Sequence, residues 1–188
     1  GSTMSVTQEE IDRIWKDADC LWSKEQVERA IDTVAQQVEE RLEKSNPIIL
    51  SVMKGGLVFT SKLMMRLSFP MELDYIHVSR YGFGLSGNEL QWKVTPQDNI
   101  EGRTVLIVDD ILDEGQTLAS IIEACKAQGA KEVLSAVLVD KKHDRKADPE
   151  FKADFTGLDI EDRFIFGYGM DYKGYLRNAA GIYAVKEG

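Results

Sequence analysis

Asp109, Asp110 and Asp113 place three carboxylates within a few residues of one another, and Glu114, Gly115, Gln116 and Thr117 follow at once. Acceptors of this kind hold sugar hydroxyls, or bind Mg2+ directly or through water. Gly115 lets the backbone come close to a ligand or take a positive φ. Thr117 adds a hydroxyl donor. A helix beginning here would present unpaired N–H groups and the positive end of its dipole, which suits a phosphate. The chemistry indicated is recognition of a sugar phosphate. A turn that only caps a helix explains one Asp-x-Gly step, but it does not need three carboxylates.

The flanking residues say what positions this group. Val105, Leu106, Ile107 and Val108 form an apolar run of the length of a strand buried on both faces. Leu118, Ile121, Ile122 and Cys125 then recur at helical spacing. The stretch Val105 to Leu118 is therefore strand, short loop, helix. In an open parallel sheet, ligands collect outside the carboxyl ends of the strands.

The pattern repeats along the chain. Pro47 precedes a strand over Ile48 to Met53, with Lys54-Gly55-Gly56 at its end and a helix implied by Leu57, Phe59 and Leu63. Two glycines permit unusual backbone geometry and a lysine can meet an anion, although the tripeptide alone is often just a turn. Met71 to Val78 reads as a strand. Ser79 to about Gln91 carries Gly82, Gly84 and Gly87, a composition that predicts a mobile loop or hairpin. Glu132 to Val139 is a further buried strand, ending in Asp140-Lys141-Lys142. The segment from His143 to Ala153 is charged, contains Pro149 and is expected to be an exposed connection. Arg163 to Tyr172 combines a short strand, a glycine turn and Asp171, and Ile182 to Val185 is expected as the last strand.

Upstream, capping-box patterns at Thr7 and Ser23 open two expected helices, the second running to about Glu43. They read as scaffold, with no chemistry assigned. His77 lies in an apparent strand and reads as structural rather than as a ligand.

Composition narrows the class. The chain has 188 residues, 43% hydrophobic and 29% charged, which suits one α/β domain; the expected unit is 4–188. Gly1-Ser2-Thr3 before Met4 reads as a cloning remnant. A net charge of −9 disfavours broad binding to nucleic acid or to an anionic membrane. Cys20 and Cys125 are far apart and lack metal-ligand spacing, which points to free thiols in a reducing compartment. No apolar run approaches a membrane span and no signal peptide is visible. The expectation is a cytoplasmic protein.

The stretch from Asp109 to Thr117 resembles the phosphoribosyl-diphosphate (PRPP) binding motif of the type I phosphoribosyltransferases, and more narrowly of their hypoxanthine-guanine branch. The resemblance extends from about Ile48 to Val185, anchored at Lys54-Gly55-Gly56, Asp109 to Thr117, Lys141, and Phe164 to Asp171. It implies a central, mostly parallel sheet flanked by helices, a small C-terminal hood and a flexible active-site loop. It implies transfer of the phosphoribosyl group of PRPP to hypoxanthine or guanine, with Mg2+ as cofactor and a 6-oxopurine as partner substrate. A homodimer or homotetramer is expected on the same ground.

The resemblance also assigns roles. Lys54 and Gly55 would bind pyrophosphate, with the peptide after the lysine cis, and Arg177 would assist. Asp109 and Asp110 would hold the ribose hydroxyls and, with Asp171, organise Mg2+. Glu114, Gly115, Gln116 and Thr117 would cradle the 5′-phosphate. Asp113 would take the proton of the incoming base. Lys141, with Lys142 its near rival, would meet the purine O6, Phe164 would stack on the ring and the Ile165 backbone would meet its edge. Arg80 and Tyr81 would belong to the closing lid, Arg80 standing where the family usually has serine. Glu114 departs from the small hydroxylic residue common there, so its side chain should face solvent or a neighbouring cation. Two rivals remain: a xanthine-preferring enzyme, and a PRPP-sensing regulator that binds nucleic acid.

Overall fold

The computed structural model describes residues 5–80 and 90–187. Thirteen elements are built in chain order: α1 (Gln8–Asp17), β1 (Asp19–Ser23), α2 (Lys24–Leu42), β2 (Ile48–Met53), α3 (Leu57–Met64), β3 (Glu72–Arg80), β4 (Leu90–Val94), β5 (Thr104–Leu112), α4 (Gln116–Ala127), β6 (Glu132–Lys141), β7 (Phe155–Ile160), β8 (Ile165–Phe166) and β9 (Gly181–Ala184). Six strands form a sheet in the order β4-β3-β2-β5-β6-β7. All its pairings are parallel except that of β4 with β3. A second, antiparallel sheet has the order β1-β9-β8.

Successive strand residues point to opposite faces, so a strand covered on both sides must be apolar throughout. That is the case in the central strands. Val105 and Ile107 join a core cluster with Leu118, Ile121 and Cys125 of α4. Leu106 and Val108 join the opposite cluster with Val27, Ile31, Val34 and Val38 of α2 and Phe59 and Leu63 of α3. Helices thus cover both faces, and β2 and β5 end side by side under the loops that follow them.

Both expected capping boxes are present in whole or part. Thr7 accepts from the Glu10 N–H at 3.1 Å. Ser23 accepts from the Gln26 N–H at 3.2 Å, and the Gln26 side chain accepts from the Ser23 N–H at 2.8 Å. The expected strand over Met71 to Val78 runs instead over Glu72–Arg80.

One expectation is corrected and two points are added. The hood is not purely C-terminal: β1 supplies one of its strands, pairing with β9, while Ile11 of α1 packs with Phe166, Leu176 and Ala179. Strands β1 and β7 are additional, since neither has the apolar run that marks the central strands. The segment between β6 and β7 is largely exposed, as expected, with His143, Lys146 and Phe151 partly covered. The glycine-rich loop and Tyr81 lie outside the described residues, and Arg80 is described only as the last residue of β3.

Candidate active site

A cleft of about 660 Å³ opens at the carboxyl ends of β2 and β5. Its walls include Gly55, Asp109, Asp110, Asp113 to Thr117, Asp171 and Arg177. A smaller annex of about 170 Å³ is shared by Asp110, Lys141, Phe164, Ile165 and Asp171. Residues far apart in sequence, from Gly55 to Arg177, thereby meet where the parallel strands end on one edge beside the hood.

One end of the cleft is formed by the N-terminus of α4. Gly115 takes φ +92° at its N-cap and no side chain caps the helix. A first helical turn has N–H groups without intrahelical partners, so with no cap they are left facing the cleft. Helices α1 and α2, by contrast, carry side-chain caps. The first turn of α4 also has no acidic residue, and Glu114 just before it is exposed. Glu114 thus behaves as expected in its exposure; its carbonyl accepts from the Ala147 N–H at 2.8 Å.

Asp109 and Asp110 end the buried run of β5. Asp109 accepts from the Asp110 N–H at 2.8 Å. Burial pushes both carboxyls above the usual range, and the neighbouring Asp110 charge pushes Asp109 further. Such a pair gains from a nearby cation or from hydroxyl donors. Gly55 is needed beside it: a Cβ there would fall 2.0 Å from Asp110 Oδ2.

The loop after β2 differs from expectation in one detail. The cis peptide is Met53–Lys54, before the lysine rather than after it. The turn is closed by the Gly56 N–H, which donates to the Val52 carbonyl at 2.9 Å. Lys54 is exposed and does not form part of the cleft wall, whereas Gly55 does. Arg177 donates to the Gly169 carbonyl at 2.7 Å and its other nitrogen lies 3.8 Å from Asp171 Oδ1. Gly169, at φ +98°, packs so closely on the first loop that a Cβ would sit 2.4 Å from the Gly55 carbonyl oxygen. That contact joins the hood to the loop after β2. His77 stands in this basic neighbourhood; burial, then the charges of Lys93, Lys54 and Arg177, push its imidazole below the ordinary value.

At the opposite end, the two lysines differ in their surroundings. Lys142 is held by Asp140 at 2.9 Å and Asp159 at 3.5 Å. Lys141 is 12% exposed, lines the annex, and lies 3.6 Å from Asp113 Oδ2. Phe164 is 58% exposed, and Tyr172 props its ring edge-on at a centroid distance of 5.9 Å. The Val185 N–H donates to the Phe164 carbonyl at 2.9 Å. Antiparallel pairs alternate between bonded and non-bonded, so Ile165, opposite Ala184, directs its own N–H and C=O out of the ladder. Its side chain is buried.

Sequence reasoning missed the support behind Asp113. His143 Nε2 lies 2.6 Å from Asp113 Oδ1. Lys146 donates to the carbonyls of Leu112 and Asp113 and to Asp140 Oδ1, at 3.1, 2.5 and 2.9 Å. Phe151 packs against Gly115. The residues expected as an exposed connection are thus a brace behind the loop, because their donors satisfy loop carbonyls. No feature of the sequence marked them, since about thirty residues separate His143 and Lys146 from the loop they support. Asp140 is buried; burial opposes its charge, but hydrogen bonds from Lys146 and Lys142 outweigh that and hold its carboxyl below the usual range.

Among the described residues no three acidic or histidine side chains converge as a metal cage. Asp109, Asp110 and Asp171 instead line one cleft. That donor set fits hydrated Mg2+ arriving with a phosphorylated substrate, which uses few protein carboxylates.

The family model for the phosphoribosyl transferase domain matches residues 19–173. The hypoxanthine-guanine phosphoribosyltransferase of Bacillus subtilis is 33% identical over 167 residues, covering 88% of this chain and 92% of that protein. That of Aquifex aeolicus is 33% identical over 169 residues, covering 89% and 94%. A crystal structure of a hypoxanthine phosphoribosyltransferase from Staphylococcus aureus superposes with a TM-score of 0.86 at 28% identity, covering 96% of this chain and 97% of that one.

Proposed function

The chain belongs to the phosphoribosyltransferase family, in its hypoxanthine-guanine branch, and on that premise we propose that it salvages purines by transferring the phosphoribosyl group of PRPP to hypoxanthine or guanine. The products are IMP or GMP and pyrophosphate. The observation that carries this reading is one cleft with an uncapped helix N-terminus at one end and the Lys141–Phe164–Asp113 group at the other.

In the reaction, the bond from C1′ to the pyrophosphate oxygen breaks and its electron pair leaves with pyrophosphate. The bond from N9 of the base to C1′ forms, and the base gives up a proton. The first-turn amides of α4, with Gly115, Gln116 and Thr117, hold the 5′-phosphate. Asp109 and Asp110 orient the ribose hydroxyls. Gly55, through its backbone, and Arg177 stabilise charge on the departing pyrophosphate, while the exposed Lys54 stands outside the cleft wall. Mg2+, when bound near Asp109, Asp110 and Asp171, would neutralise part of that charge. Phe164 stacks on the purine, and the free Ile165 backbone groups meet its edge. The Lys141 ammonium donates to O6; adenine presents an amino donor there and is disfavoured. Asp113 accepts the proton, for which its exposed oxygen stands next to Lys141.

Several coarser readings accompany this one. Residues 4–188 act as one catalytic unit, in a homodimer or homotetramer, in the cytoplasm. Among the described residues no helix is long and apolar enough to cross a membrane. A xanthine preference is the second reading within the family, since base choice depends on what meets purine position 2.

The role of Asp113 is tested by Asp113→Asn. Loss of a general base costs on the order of a hundredfold to ten-thousandfold in kcat, and calorimetric PRPP affinity should survive. An unchanged kcat would remove Asp113 from the role.

A further inference from the structure

We propose that His143 is a positioning residue for the reaction: it fixes the Asp113 carboxylate in its proton-accepting orientation and keeps it from closing into a direct hydrogen bond with Lys141. The inference rests on the function proposed above, in which Asp113 accepts the proton of the base.

The hydrogen bonds define the state of the imidazole. The backbone N–H of Arg145 donates to His143 Nδ1 at 2.9 Å. Nδ1 therefore carries a lone pair, and in the neutral ring the proton is on Nε2. Nε2–H points at Asp113 Oδ1, 2.6 Å away. The His143 side chain is 2% exposed, whereas that of Asp113 is 44% exposed toward the cleft. A buried donor with a tautomer set by the backbone thus grips one oxygen of an otherwise mobile carboxylate. The other oxygen, Oδ2, faces Lys141 Nζ at 3.6 Å, beyond hydrogen-bond distance.

The competing partner is Lys141, whose Nζ is already within ion-pair distance of that oxygen, at 3.6 Å. Without His143, rotation of Asp113 would shorten this loose pair to a direct hydrogen-bonded one. The pair would occupy both the proton acceptor and the donor meant for O6, so the two functions would be lost together. The hold of His143 on Oδ1 opposes that collapse. Lys146, bonded to the carbonyls of Leu112 and Asp113, holds the backbone under the same carboxylate.

The test is a set of steady-state measurements with PRPP, Mg2+ and hypoxanthine. His143→Leu should lower kcat about tenfold to a hundredfold, since misplacing a reacting group by about 1 Å has costs of this size. It should raise the KM for hypoxanthine several-fold and leave the KM for PRPP within about twofold. His143→Gln, which retains a side-chain N–H, should recover most of the loss. In an Asp113→Asn background, His143→Leu should cost less than about twofold more, because coupled residues are not additive. A full kcat in a folded His143→Leu protein, or an equal loss in both backgrounds, would overturn the proposal. If Asp113→Asn itself leaves kcat intact, the proton-accepting role of Asp113 on which this proposal rests fails. If Asp113→Asn is impaired and His143→Leu is not, only the role of His143 fails. A 15N NMR spectrum of the unmodified protein gives a reading that needs no variant: Nε2–H is expected, and Nδ1–H or a doubly protonated ring would contradict it.

Discussion

Gly55 shows how much a single absent side chain contributes. A methyl group there would displace the Asp110 carboxylate while touching little of the core. Gly55→Ala is therefore expected to lower kcat/KM for PRPP at least about tenfold, with the melting temperature changed by only a few degrees, as for substitutions outside the core. Melting curves beside initial rates check this; a large loss of stability would show that the glycine serves packing instead. In the proposed reaction Lys141 is the residue that selects the base. Lys141→Gln replaces a pure donor by a group that can donate or accept, so the preference for hypoxanthine over adenine should narrow by roughly tenfold, about 1.4 kcal/mol. Competition between the two bases reads it. His77 offers a pH measurement. Burial and the charges of Lys93, Lys54 and Arg177 depress its pKa; pyrophosphate bound nearby would offset those cations, so titration by NMR should move it upward. A downward or absent shift would place pyrophosphate elsewhere. At this scale the sequence was legible where a residue type has one dominant use, as for Asp109, Asp110 and Gly115. It was silent on His143, because a histidine among charges carries no mark of burial.

The elements divide the same way. Strands β2, β5 and β6 are apolar on both faces, and glycine or acid at their ends announces the turn, so their places and loops could be read directly. Strand β1 could not be, because its five residues acquire their pairing from β9, at the other end of the chain. Strand β7 was equally hidden: Gly157 interrupts it, and only the close approach of the Leu138 carbonyl, 2.6 Å from a Cβ at that position, explains the glycine. The hood is joined to the helices through Glu28 of α2. It accepts from the Tyr168 hydroxyl at 2.6 Å and from Arg66 at 2.7 Å, with Lys62 at 3.1 Å. Burial alone would raise this carboxyl, but these partners outweigh it and hold its pKa at about 2, against 4.5 for the free group. A depressed carboxyl stabilises the fold fully above the unfolded value and loses that contribution as pH falls through the folded one. The contribution, on the order of 2–3 kcal/mol at neutral pH, should therefore disappear between about pH 4.5 and pH 2. Denaturant unfolding of Glu28→Gln should show a deficit at pH 7 that shrinks across this window; a deficit independent of pH would mean that the network acts by packing alone.

Across the whole molecule, function depends on bringing the sheet edge and the hood to one cleft, with Gly169 packed on Gly55 at the join. The sheet could be anticipated from apolar runs and loop chemistry. The hood's dual origin could not, since sequence gives no distance between the two chain ends. The net charge of −9 argues against a nucleic-acid-binding regulator. Mixing with duplex DNA or with RNA at low salt should leave gel mobility unchanged, and a saturable complex would reopen that rival. The central claim is that this cleft joins a 6-oxopurine to the phosphoribosyl group of PRPP. Its most direct test is an assay of nucleotide formation from PRPP and Mg2+ with hypoxanthine, guanine, xanthine or adenine offered separately. Hypoxanthine and guanine should yield IMP and GMP with equimolar pyrophosphate, and adenine should yield essentially nothing. Nucleotide from adenine at a comparable rate, or none from either hypoxanthine or guanine, would contradict the account.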